Sequence, residues 1–275
     1  MSAPDPTLLS LNVATVRTQW SLEQAIEGCA RHGIGWIAPW RDKLAECGLA
    51  RAKALIKTHG LKVSSLCRGG MFPAADDAGR RAAIDDNKRA IDEAAELGAA
   101  CLVLIAGGLP KGSKDIAGAR AQVKDGIAAL LEHARAARLP LAIEPLHPMY
   151  AADRACVNTL EHALDLCDAL GAGLGVAVDV YHVWWDPDLA AGIERAGKRI
   201  LGFHLCDWLV PTTDLLLDRG MMGDGVIDIP AIRRMVEAQF YAGPREVEIF
   251  SQNNWWKRDA DEVMRTVKDR YASAT

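Results

Sequence analysis

A chain of 275 residues, half hydrophobic and a quarter charged, can bury a large core and is too apolar for global disorder. Its 32 basic and 36 acidic residues leave a formal charge of −4, and pairs such as Lys198-Arg199 and Lys257-Arg258 stand alone rather than in a basic stripe, which argues against a nucleic-acid surface. No apolar run approaches the ~20 residues that span a bilayer. Seven cysteines without a CxxC spacing, and an N-terminus without a basic segment leading into an apolar one, suit a reducing cytoplasm.

Apolar runs alternate with longer amphipathic stretches, eight times over. Leu8–Ala14 reads as a first strand, and Ser21–His32 as a helix with Ser21 as its N-cap and Gln24 completing a capping box. Gly35–Pro39 is a second strand. Cys47–His59 is the next helix, ended by Gly60, and Leu61–Cys67 the third strand. The spacing predicts a long helix over Arg80–Leu97, with Gly98 at its C′ position. Cys101–Ala106 is a strand and Asp115–Arg138 a helix. Strand Pro140–Pro145 leads to helix Thr159–Leu170, and strand Leu174–Asp179 to helix Asp188–Ala196. Ile200–Cys206 is a seventh strand, followed by an irregular stretch, Asp207–Val226, and a helix over Ile229–Phe240. Glu246–Phe250 is the eighth strand and Ala260–Tyr271 the closing helix.

Near-continuous apolar runs suit parallel strands covered on both faces. Eight repeats without a glycine-rich phosphate fingerprint favour a closed (β/α)8 TIM barrel over a doubly wound sheet. No Pro/Gly/Ser-rich linker interrupts residues 1–275, which read as one domain.

Active sites of such barrels lie at the C-terminal ends of the strands. Strand five ends in Ile143-Glu144-Pro145 and strand six in Val178-Asp179, while strand seven carries His204 and strand eight Glu248. A single acidic residue at a strand end is commonly a helix cap or a solvated loop residue. Carboxylate or imidazole on four consecutive strands is a rarer pattern, because charges seldom occupy buried strand positions. Three carboxylates and one imidazole can hold one divalent ion and leave positions open for substrate oxygens. Mn²⁺ is the first expectation, with Mg²⁺, Co²⁺ or Zn²⁺ as alternatives. Glu246 competes with Glu248, since residues two apart on a strand share a face.

The segments Leu141–Pro145, Val176–His182, Gly202–Asp207, Gly223–Asp228 and Glu246–Phe250 together resemble the sugar phosphate isomerase/epimerase family. These are xylose-isomerase-like barrels that include ketose 3-epimerases. The resemblance runs from about Ser21 to the end of the chain and is strongest after Leu141. It implies metal ligands at Glu144, Asp179, His204 and Glu248, and it favours Glu248 over Glu246 because the family glutamate directly precedes the last apolar pair, here Ile249-Phe250. It also implies substrate-binding roles for His182 and Arg219. The implied chemistry is removal of a proton beside a carbonyl of a small carbohydrate, with Glu144 and Glu248 as the two bases.

His147, three residues past Glu144, has two readings: a loop histidine packed on Pro148 and Tyr150, or an extra catalytic acid/base that would suit elimination. Relatives that act as lyases on 3-oxo-glycosides, including the larger subunits of C-glycoside-cleaving enzymes, form the alternative, with a small partner subunit. A homo-oligomer is the expectation otherwise. Arg68, at the end of strand three, points toward the site as a binder of a substrate oxygen or phosphate. Asp207 either orients a ligand or caps the following loop. Trp184-Trp185 and Trp255-Trp256 read either as sugar-stacking surfaces or as packing. A repair endonuclease on the same barrel would need further histidines at early strand ends, where this chain has Ala38-Pro39, Cys67-Arg68 and Ala106-Gly107.

Overall fold

The computed structural model describes residues 3–275. A parallel sheet wraps round to near closure, its strands in the order β3-β2-β1-β11-β8-β7-β6-β5-β4. In chain order these are β1 (Leu9–Asn12), β2 (Trp36–Ala38), β3 (Lys62–Val63), β4 (Leu66–Gly70), β5 (Leu102–Ile105), β6 (Leu141–Ile143), β7 (Leu174–Asp179), β8 (Ile200–Leu205) and β11 (Arg245–Val247), with the short pair β9 (Asp207–Trp208) and β10 (Arg219–Gly220) outside the ring. The third strand of the sequence is thus two pieces, β3 and β4, separated by Ser64-Ser65. Both pieces serve closure. Ser64 and Cys67 donate backbone N–H groups to Ile37 and Pro39 on one side, each at 3.0 Å, and Leu66 donates to Cys101 on the other at 3.1 Å.

The helices form the outer layer: α1 (Leu22–His32), α2 (Arg41–Cys47), α3 (Leu49–Thr58), α4 (Asp77–Leu97), α5 (Ile116–Ala136), α6 (Leu160–Leu170), the single turn α7 (Val180–Val183), α8 (Leu189–Ala196), α9 (Ile229–Ala238) and α10 (Ala260–Ala274). Ser21 and Gln24 make the capping box at α1, and Gly98 ends α4 in the left-handed region at φ 68°. The expected helix Cys47–His59 instead begins at Leu49. Gly48, at φ 86°, separates it from α2, which the periodicity did not signal. The stretch after β8 is not wholly irregular, because β9 and β10 form an antiparallel ladder within it.

Strand interiors such as Leu102–Ile105 and Leu174–Val178 are buried on both faces, as a parallel sheet under helices requires. A register shift between Leu66 and Gly69 bends β4, a device that re-aims side chains at barrel rims. Gly70 follows at φ 104°, where a Cβ would stand 1.9 Å from the Ile105 carbonyl oxygen. Among the described residues, no helix is long and apolar enough to cross a membrane.

Candidate metal centre and substrate cavity

Four neighbouring strands deliver the central cluster. Around the ring β11, β8, β7 and β6 are adjacent, so Glu248, His204, Asp179 and Glu144 lie side by side along one arc of the rim. One ligand atom from each falls within 4.8 Å of all the others, and all four residues are buried. His204 Nδ1 sits 2.7 Å from Glu144 Oε1. Asp179 also caps the single-turn helix α7, accepting the Tyr181 N–H at 2.8 Å, and that turn swings His182 over the site.

The electrostatics of this cluster test whether an ion fits. Glu144, Asp179, Glu246 and Glu248 are four buried carboxylates facing one guanidinium, Arg219, and one imidazole, His204. Burying unbalanced charge is expensive, and a divalent cation among these oxygens would offset it. Burial raises Glu144 above the ordinary carboxylate range against the pull of His204, and raises Glu248 to about 8 against the pull of Arg219. Burial would raise Asp179 too, but Arg219 and then His182 hold it low. His204 shows the opposite balance: burial pushes it down, yet Glu246 and Glu144 carry it well above its usual value. Hard oxygens and one imidazole under such mutual repulsion are a donor set suited to a divalent ion.

Arg219, on β10, reaches back over the cluster. Its Nη1 donates to Asp179 Oδ2 at 3.1 Å and Glu248 Oε2 at 3.0 Å, and its Nη2 lies 3.2 Å from His182 Nε2. The guanidinium stacks 4.4 Å from the Tyr181 ring centroid. Burial pushes His182 down to about 3, so the ring is neutral. The two residues that the family resemblance paired as substrate binders are therefore in contact, at the edge of the cluster.

Glu246 pairs in register with His204 on the adjacent strand, its Oε1 3.7 Å from His204 Nε2. It accepts hydrogen bonds from Asn12 Nδ2 (2.7 Å), Ser64 Oγ (2.8 Å) and Ser65 Oγ (3.0 Å). Asn12 also donates to Glu248 at 3.0 Å, bracing both glutamates. Glu246 thus lies behind His204 while Glu248 faces the cavity.

A cavity of about 280 Å³ opens above the cluster and includes Glu144, Glu248, His182, Arg219 and Arg68 in its lining. Trp40 and Phe250, packed edge to face at 5.4 Å, form one wall, and Tyr150 and Arg154 contribute to the lining as well. The chemically distinctive residues that sequence reasoning missed are Asn12, Tyr150 and Arg154. Only Asn12 carried a local signal, a polar side chain that with Ser10 interrupts an otherwise apolar strand. His147 does not line this cavity. Its ring stacks on Trp208 at 5.0 Å and meets Trp185 at 5.7 Å, while its backbone N–H points at His182 Nδ1 at 3.2 Å. Trp184 and Trp185 pack in that same aromatic group rather than against the cavity, and Trp256 donates to the Ala14 carbonyl at 2.9 Å. Asp207 ties the loop after β8, accepting backbone N–H groups from Trp208, Gly223 and Gly225 at 2.9 Å and from Ile227 at 3.0 Å.

A β/α barrel with a carboxylate–histidine cluster at the C-terminal rim of β6, β7, β8 and β11 has the features of a metal-binding β/α-barrel protein. The chain belongs to the xylose isomerase-like TIM barrel family, whose profile matches residues 26–269. It is similar to a protein of Sinorhizobium meliloti 1021 at 63% identity and TM-score 0.97, covering 98% of this chain and 99% of that one. It also superposes on the IolI protein with a bound zinc atom, at 23% identity and TM-score 0.83 over 95% of each chain. A D-allulose 3-epimerase from Methylomonas sp., in complex with D-allulose, shares 20% identity at TM-score 0.80 over 100% of this chain and 99% of that one. No curated protein sequence matches the chain.

Proposed function

We propose that this chain is a divalent-metal-dependent sugar isomerase or epimerase that removes a proton from the carbon beside a carbonyl. The observation that carries this reading is the buried Glu144–Asp179–His204–Glu248 cluster opening directly into a small cavity. A bound ion, Mn²⁺ by first choice, would supply Lewis-acid stabilisation of the negative charge that develops on adjacent substrate oxygens. Glu144 and Glu248 stand at the two ends of the ligand arc, so they approach a substrate from different sides. One removes the proton and the other can return it on the opposite face, which is what epimerisation requires. His182 and Arg219 meet the substrate's oxygens at the edge of the cluster, and Phe250, Ile105 and Leu146 limit water in the cavity. The likeness to a D-allulose 3-epimerase holding D-allulose, and to IolI with zinc, supports the choice of chemistry. The eliminating alternative draws no support from His147, whose ring is engaged with Trp208 and Trp185.

Elemental analysis of the purified protein is expected to show about one metal per chain, lost on Asp179→Ala or His204→Ala. Incubation with a ketose in deuterated water should place deuterium at the carbon that loses its proton, and Glu248→Gln should slow that exchange by about 10²–10⁴-fold. Full metal occupancy in both ligand variants would remove the assignment, and turnover without solvent exchange would replace proton abstraction by a hydride shift.

A further inference from the structure

Two arginines at the cavity lack a carboxylate partner. Arg68 and Arg154 both line it, both are half-buried, and among the described residues neither makes an ion pair or a side-chain hydrogen bond. Two acidic groups whose charge reaches them are otherwise engaged: Asp42 is bound by Arg17, and Asp214 accepts the Leu216 and Leu217 N–H groups at 2.8 and 2.9 Å. Asp153, beside Arg154 in the chain, is exposed on the same rim without pairing to it. Arg154 lies over the Tyr150 ring at 5.7 Å. Tyr150 itself is only 4% exposed, lines the cavity, and its hydroxyl has no hydrogen-bond partner.

Each of these features is costly by itself. A buried hydroxyl without a partner loses its solvation, and partly buried like charges repel. Burial and then the nearby Arg154 cation lower the Arg68 pKa, while burial holds the Tyr150 phenol up at about 12, so it remains an O–H donor. Together they supply two guanidinium forks and one hydroxyl, all donors, to one cavity. Arginine recognises planar or tetrahedral oxyanions through paired N–H groups.

We propose that the substrate carries an anionic group, a phosphate or a carboxylate, away from its reacting carbons, and that Arg68, Arg154 and the Tyr150 hydroxyl receive it. The inference rests on the isomerase reading for where the reacting carbons lie. The central cluster and the anion receptor share no residue and line the same cavity, so one substrate can meet Glu144 and Glu248 with its reacting carbons and the arginines with its anionic group.

Calorimetric titration of the metal-loaded protein with D-fructose, D-fructose 6-phosphate and D-fructuronate separates a neutral ketose from its phosphate- and carboxylate-bearing counterparts. At least one anionic compound is expected to bind about tenfold or more tightly than fructose. Arg68→Met and Arg154→Met keep the apolar stem and remove the charge. Each should weaken that anionic ligand by about 10–100-fold, the worth of one charge-assisted hydrogen bond, and leave fructose within about twofold. Tyr150→Phe should weaken it by about fivefold, in line with a neutral donor. Thermal melts establish that the variants are folded. The preferred compound decides between phosphate and carboxylate. Equal binding of all three, no binding of either anion, or variants that weaken fructose as much as the anions overturn the proposal. Deuterium exchange is read separately. Tight anion binding through the arginines without exchange would defeat the isomerase reading alone, and exchange without an anion preference would defeat the anion receptor alone.

Discussion

Replacing Glu246 by Gln isolates what a glutamate behind the cluster does. In the native arrangement Oε1 takes the Asn12 amide at 2.7 Å and faces His204 Nε2 at 3.7 Å, while Oε2 takes Ser64 at 2.8 Å and Ser65 at 3.0 Å. Glutamine can place its oxygen at the Asn12 and His204 side and its amino group toward the two hydroxyls, which can rotate to accept. The shape and most hydrogen bonds therefore survive. What disappears is one negative charge among four buried carboxylates. In the metal-free protein, weaker hydrogen bonds and relieved like-charge repulsion oppose each other, so stability should stay within about 1 kcal/mol of the parent.

Metal affinity should respond differently. A carboxylate behind a histidine orients the ring and raises its basicity, and loss of such a partner typically costs 10–100-fold in metal affinity, about 1.4–2.7 kcal/mol. Mn²⁺ titration by calorimetry or competition with a chelating dye gives the first number, and urea denaturation in chelator gives the second. Glu246→Leu is the contrasting variant. It leaves the Ser65 hydroxyl and part of Asn12 without an acceptor in the interior and should cost about 3 kcal/mol or more even without metal. Mn²⁺ affinity in Glu246→Gln within about twofold of the parent would refute the argument that Glu246 supports His204.

Asp207→Ala removes the acceptor for four loop N–H groups and should cost on the order of 2–4 kcal/mol in urea, with faster amide exchange at Gly223, Gly225 and Ile227; unchanged exchange there would show that the loop holds itself. Gly70→Ala places a Cβ 1.9 Å from the Ile105 carbonyl oxygen at a positive φ and should destabilise by on the order of 3 kcal/mol or more, read from the urea midpoint, whereas a shift below about 0.5 kcal/mol would mean that the β4–β5 edge adapts freely.

The elements that sequence reasoning located best are those whose burial writes a period into the chain. Leu174–Asp179 is found to the residue, because a strand covered on both faces must be apolar along its length and ends here at its one charged side chain. The breaks were harder to see. Gly48 interrupts a helical pattern by backbone conformation alone, and Ser64-Ser65 divides the third strand because their hydroxyls turn inward, Ser65 directly onto Glu246 and Ser64 onto both Ser10 and Glu246. Those partners lie some 55 to 180 residues apart in the chain, so no local window contains them.

The same distinction explains which site residues could be read. Side chains on adjacent parallel strands are tied to strand ends, and strand ends are visible in sequence, so Glu144, Asp179 and His204 could be selected from the pattern, whereas the choice of Glu248 over Glu246 needed the family resemblance. Arg154 and Tyr150 arrive from the loop after β6, whose path is set by contacts such as the Leu109 N–H on the Ala152 carbonyl at 2.7 Å and the Cys156 N–H on Gly107 at 2.9 Å. These join the loops after β5 and β6, and only their pairing brings Arg154 to the cavity that Arg68 enters from β4. Rim loops of a barrel are free to vary while the strands that hold the central cluster are constrained by packing. Under the proposed function, the strand ends of this chain would carry the residues for bond-making and bond-breaking. Arg154 from the loop after β6 and Arg68 from the bent strand β4 would then choose which molecule is presented to them, and a charge on the substrate is the simplest feature that two unpaired arginines can select.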